Sequence, residues 1–253
     1  MTYDFILDFN NCITPSIVVY YKEEGSVKAS KMNVALDENG RLNDLDQVSK
    51  LIKDYLKTEG KSCLMLLNLK EAFTINRLYP NLNLRKSKRL FDSSVKEDFP
   101  NINSYKLYEC EYDADGCSVY NIYALEFETL DYYKHFLEKC GFKTIAYKVK
   151  GQYLIDEYID RYKIDNFALY YYENDLLFFN VCLKGKLLYS ITCPDTRESA
   201  NHMALSCIDG FNYKLKKNVI NTIVTNRDEE SICDYEVDVG KIGKNFSQEG
   251  ERF

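Results

Sequence analysis

Residues Tyr3 to Tyr21 read YDFILDFNNCITPSIVVYY. Two apolar runs flank Asn10, Asn11 and Cys12, and Asp8 stands near the end of the first. Short runs rich in β-branched and aromatic residues, broken by asparagines and Pro15, predict two strands joined by a turn. An acid closing a buried-looking strand, followed by two asparagines, is the feature that needs explaining.

Working outward, Asp4–Phe9, Ser16–Tyr21 and Val27–Ala35 predict three consecutive strands, with Gly25 in the second turn. Leu45, Val48, Ile52, Tyr55 and Leu56 then recur at helical spacing, and Asn43 or Asp44 supplies an N-cap. After Gly60, SCLMLLNL is apolar almost throughout, as suits a strand buried on both faces. The opening is therefore β-β-β-α-β, the start of an α/β layer.

Next comes an extended piece over Phe73–Leu78, then a helix over Leu84–Asp98 capped by Asn83. Ser104–Tyr112 and Ser118–Phe127 alternate and are joined by DADGC, a hairpin pattern. A helix from Thr129 to Cys140 stops at Gly141, a strand follows over Phe142–Val149, and a helix over Tyr153–Tyr162. From Phe167 the runs FALYYY, LLFFNVCL and KLLYSIT predict a second meander, followed by a helix over Glu198–Lys216 and a strand over Val219–Val224. The same meander, helix, strand grammar thus occurs twice.

The 253-residue chain is 45% hydrophobic and carries a net charge of −6 with both signs interspersed, which suits a soluble protein and argues against a nucleic-acid partner. No leader or membrane span is expected. Nine cysteines without C-x-x-C spacing and only two histidines suggest neither a zinc site nor a triad; reduced thiols in a cytoplasmic chain are expected, with no metal. Asp113–Gly116 lacks the further acids of a calcium loop and reads as a hairpin turn. Cys12 has no histidine in any motif nearby and reads as a small buried residue. No catalytic constellation remains, so no enzyme is expected.

In its order of segments the chain resembles the PilM proteins of type IV pilus assembly, themselves similar to the cell-division protein FtsA. FILDFNNCITPSIVVYY sits where that family has its first phosphate hairpin, and FALYYYENDLLFFNVCLKGKLLYSI where it has the second. Between them, Arg77, Pro80 and Leu82 form an analogue of that family's R-x-[IY]-x-P-x-L pattern, one residue shorter, ahead of an amphipathic helix with Glu97 near its end and then Pro100. The resemblance implies an α/β fold of two actin-like (RNase H-like) halves with a small inserted α+β subdomain and a truncated second half. It divides the chain into a first domain over 1–71 and 128–165, an inserted subdomain over 72–127, a second domain over 166–240 and a loose tail over 241–253.

The family's first loop has a glycine two positions after the aspartate, and here Asn10 stands there. Asn can visit left-handed conformations, but its side chain crowds the space of a phosphate. In the second hairpin only Glu173, Asn174 and Asp175 are available, whose charges would repel one. Asp8, Asn10 and Asn11 are thus expected to form a degenerate, inactive nucleotide site with no cofactor. The function implied is a non-catalytic cytoplasmic scaffold, held at the inner face of the membrane only through partners: a PilN-like inner-membrane protein tail and other pilus assembly proteins. The tail would lie in a groove formed by Phe73, Ile75, Leu78, Leu84, Phe91 and Val95, since peptide capture needs main-chain bonds and apolar pockets but no nucleotide. Two alternatives stand beside it: a divergent ATP-binding actin-like ATPase or switch, and a role in a related secretion platform, as in GspL-like proteins.

Overall fold

The computed structural model describes residues 3–10, 14–67, 72–80, 84–98, 102–111, 117–173, 176–194, 197–215, 220–225, 236–238 and 250–252. In chain order the first elements are β1 (Phe5–Asn10), β2 (Ser16–Glu23), β3 (Ser26–Asn33), α1 (Leu45–Leu56), β4 (Ser62–Leu67) and β5 (Ala72–Pro80). Then come α2 (Leu84–Asp98), β6 (Ile102–Glu111), β7 (Cys117–Glu126), α3 (Phe127–Lys139), β8 (Thr144–Val149) and α4 (Lys150–Tyr162). The remainder are β9 (Phe167–Glu173), β10 (Leu176–Leu183), β11 (Lys186–Pro194), α5 (Arg197–Leu215), β12 (Thr222–Thr225), β13 (Glu236–Asp238) and β14 (Gly250–Arg252).

The chain divides into two compact units, one of Met1–Glu71, Glu128–Lys150 and Gly243–Phe253, the other of Ala72–Phe127 and Gly151–Ile242. Compactness thus groups 72–127 with 151–242.

The first unit holds one sheet in the order β14-β3-β2-β1-β4-β8. β1, β2 and β3 form an antiparallel meander, and β4 and β8 continue parallel to β1. Every residue of β1 is buried, as its apolar composition requires, while β3 is largely polar and half-exposed. α1 begins at Asp44, whose carboxylate accepts the Gln47 N–H at 2.9 Å, and ends at Lys57 in the left-handed region. Ile52 of α1 and Phe136 and Leu137 of α3 are fully buried, and the Tyr133 ring of α3 packs edge-on against Phe9 of β1 at 5.8 Å. Within 241–253, expected to be loose, β14 pairs parallel with β3.

The second unit holds a five-stranded sheet, β11-β10-β9-β12-β13, and a three-stranded one, β5-β7-β6. Again a meander (β9, β10, β11) is followed by a helix and a parallel strand beside the first of the three. Tyr170, Phe179, Val181 and Leu188 pack with Ala204 and Ile208 of α5 into one buried cluster.

The repeat extends to the turns. Glu24-Gly25 joins β2 to β3 with φ of 50° and 82°, and Lys184-Gly185 joins β10 to β11 with φ of 49° and 73°. Two successive positive φ values match the right-handed twist of a tight hairpin, and glycine carries the second without a Cβ penalty. Each half is thus a meander, a helix and a parallel strand, the duplicated grammar read in the sequence. The second is short: only residues 195 and 196 separate β11 from α5.

Candidate functional site

The turn between β1 and β2 is the place to look for function. Asn10 pairs with Ser16 across it, which leaves five residues for the connection. Of these Asn11, Cys12 and Ile13 lie outside the described residues. Asn10 and Ser16 are fully buried, and the Ser16 hydroxyl has no hydrogen-bond partner among the described residues.

Asp8 stands on β1 between Val18 of β2 and Leu66 of β4, and Leu66 in turn pairs with Lys148 of β8. Aligned residues of parallel strands point to one face, and so do residues two apart along a strand. Lys150, the residue after β8 and the first position of α4, continues that alternation to the side of the sheet that carries Asp8. Its ammonium Nζ lies 2.6 Å from Asp8 Oδ2, and the two side chains are 4% and 1% exposed. A buried carboxylate without compensation is costly to desolvate, and a buried lysine equally so; together they offset one another. The ammonium takes up Oδ2. Sequence reading identified Asp8 but missed Lys150, and the one available signal was a lysine ending an apolar strand.

In the second half Glu173 pairs with Leu176, so the equivalent connection has two residues where the first has five. Those two, Asn174 and Asp175, lie outside the described residues. Two residues are the length of a tight hairpin connection.

Where β8 gives way to α4, Gly151 and Gln152 fix the helix to the second meander. Gln152 Oε1 accepts the Leu187 N–H at 3.1 Å. A Cβ on Gly151 would lie 2.3 Å from Asn180 Oδ1, so only glycine admits the buried Asn180 side chain, which also accepts from the Ser190 hydroxyl.

Of the expected groove residues, Phe73, Ile75 and Leu78 stand on β5, and Leu84, Phe91 and Val95 on α2. Val95 is buried. The side chains of the other five lie outside the described residues. Among the described residues no three His, Cys, Asp or Glu side chains gather as metal ligands would, and no helix is long and apolar enough to cross a membrane.

No family model matches the sequence, and no curated protein does either. Solved structures do resemble it. One is a PilM–PilN type IV pilus biogenesis complex, 10% identical, with a TM-score of 0.63 over 100% of this chain and 88% of that one. Another is the cytoplasmic domain of EpsL, an inner-membrane component of the type II secretion system of Vibrio cholerae, 10% identical, with a TM-score of 0.52 over 98% of this chain and 87% of that one. A third is a Bacteroides thetaiotaomicron protein with an actin-like ATPase fold, 10% identical, with a TM-score of 0.50 over 98% and 90%. At such identity the likeness speaks to the fold alone, and the fold is actin-like: two RNase H-like halves, the second shortened.

Proposed function

We propose that this chain is a non-catalytic scaffold of an inner-membrane assembly platform, of the type IV pilus or a related secretion system. In this role it binds the cytoplasmic tail of a PilN-like membrane protein and is held at the membrane only through such partners. The observation that carries the reading is the buried Lys150–Asp8 pair, in which a fixed ammonium meets the carboxylate that a magnesium–nucleotide would need. The two-residue connection between β9 and β10 points the same way. A fold relieved of nucleotide contacts remains a rigid support for an extended peptide, bound by main-chain bonds and side-chain pockets. The tail runs along β5 and α2, past Phe73, Ile75, Leu78, Leu84 and Phe91, with Val95 beneath it.

Thermal melting with either ligand tests this directly. A synthetic tail peptide of a PilN-like protein is expected to raise the melting temperature, whereas millimolar Mg-ATP leaves it unmoved. A nucleotide at a hundred times its Kd would add about 2.7 kcal/mol, easily seen. Stabilisation by Mg-ATP with none by the peptide would make the chain an actin-like nucleotide switch instead.

A further inference from the structure

A pocket of about 750 Å³ opens in the first unit, at the end of the sheet remote from Asp8, where β1 and β4 begin, β2 finishes and α1 ends. Phe5, Tyr21 and Leu56 give it apolar walls, and Tyr55, half-exposed, stands at its mouth. Four lysines line it against two acids, a local surplus of positive charge on a chain whose net charge is −6.

Both acids are already engaged. Glu23 pairs with Lys28 at 2.5 Å. The Asp4 carboxylate accepts from the Ser62 N–H at 2.8 Å and from the Ser62 hydroxyl at 2.7 Å, and these bonds, with Lys61 nearby, hold it below the usual carboxylate range. Lys22, Lys57 and Lys61 remain exposed, and of these only Lys61 has an acid of the pocket, Asp4, near enough to act on. Lys57 ends α1, where a cation is favoured by the helix dipole, but Lys22 and Lys61 come from a strand and a turn and have no such reason to be there.

We propose that this pocket receives an acidic segment of a partner protein. One apolar side chain rests against Phe5, Tyr21 and Leu56, and flanking carboxylates pair with Lys22, Lys57 and Lys61. The volume lies within the range of roughly 300–1,000 Å³ typical of ligand pockets. Carboxylates spread along a peptide reach the separate lysines while an apolar residue takes the floor. This surface is distinct from the groove on β5 and α2, and it stands or falls apart from the tail-binding reading.

The probe is a fluorescein-labelled octapeptide with glutamates on both sides of a leucine-phenylalanine pair, titrated with the full chain and read by fluorescence polarisation. Saturable binding is expected, weakening several-fold between about 25 and about 200 mM salt as exposed charges are screened. The triple variant Lys22→Glu, Lys57→Glu, Lys61→Glu, with an unchanged circular dichroism spectrum, is expected to bind at least tenfold more weakly; Lys134→Glu on α3 serves as the unaffected control. If the triple variant misfolds, Lys22→Ser and Lys61→Ser are each expected to weaken binding by a smaller factor. No saturable binding, unaltered affinity in the folded lysine variants, or displacement by inorganic phosphate at the peptide's own concentration would overturn the proposal.

Discussion

The Lys150 ammonium lies 2.6 Å from Asp8 Oδ2 although the two residues are 142 positions apart, and almost no water reaches either side chain. Removing one partner strands the other charge in the core. Lys150→Met is therefore expected to destabilise the protein by about 3–5 kcal/mol. The double variant Asp8→Leu, Lys150→Met is expected to recover most of that loss, because apolar replacements of similar volume need no desolvation. Urea titration of the wild type, both single variants and the double variant gives the cycle. Additive losses would mean the pair is not coupled.

Gly151 and Asn180 make a second, steric prediction. The Asn180 amide is fully buried and accepts from Ser190, so it has little freedom to withdraw from a methyl group arriving at 2.3 Å. Gly151→Ala is expected to cost about 1–3 kcal/mol, the range for overpacking a filled core. This should outweigh the usual gain from replacing a helical glycine with alanine. A denaturation midpoint at or above that of the wild type would show that α4 shifts to make room.

The repeat was legible in the sequence because strand runs and helical stripes are local patterns. LLFFNVCL and FILDFN announce buried strands by their composition, and Glu24-Gly25 announces its turn. The site was legible only at one end. Asp8 stands out within an apolar run, but its partner is set by the parallel register through β4 and β8, which no local pattern encodes. For the same reason α4 begins at Lys150, before the expected Tyr153: Lys150, Gly151 and Gln152 give no apolar stripe, and what fixes them is their packing. α3 likewise starts at Phe127, ahead of Thr129. β13 and β14, three residues each, are too short to carry an alternation.

Asn212 lies within the helix predicted over Glu198–Lys216, and its side chain joins α5 to the chain entering β12. Its Nδ2 donates to the Ile220 carbonyl at 2.9 Å and its Oδ1 accepts the Ile220 N–H at 3.1 Å, both bonds being buried. Asn212→Ala would leave a backbone donor and acceptor without partners, each costing about 1–3 kcal/mol. Asn212→Asp keeps the acceptor but sets a buried carboxylate oxygen against the Ile220 carbonyl, so near neutral pH it is expected to be at least as destabilising as alanine. Equal stability of all three in thermal melts would rule out this bridge as a stabilising contact.

Cys63 on β4 and Cys140 at the end of α3 are both fully buried, and burial pushes both thiols well above their ordinary range. Tyr147 on β8 is also raised, to about 12, chiefly by burial. In the unfolded chain a thiol ionises near pH 8.5, whereas in the folded protein these two stay protonated well beyond that. Above that pH the native state binds more protons than the unfolded state, so stability falls as pH rises. The contribution is complete below about pH 8 and is lost progressively through pH 9 and 10. Urea midpoints between pH 7 and 10 should therefore decline on the alkaline side. The variant Cys63→Ala, Cys140→Ala should start lower at pH 7, because it leaves cavities, and decline less steeply. A decline equally steep without the two thiols would assign the alkaline loss to other groups.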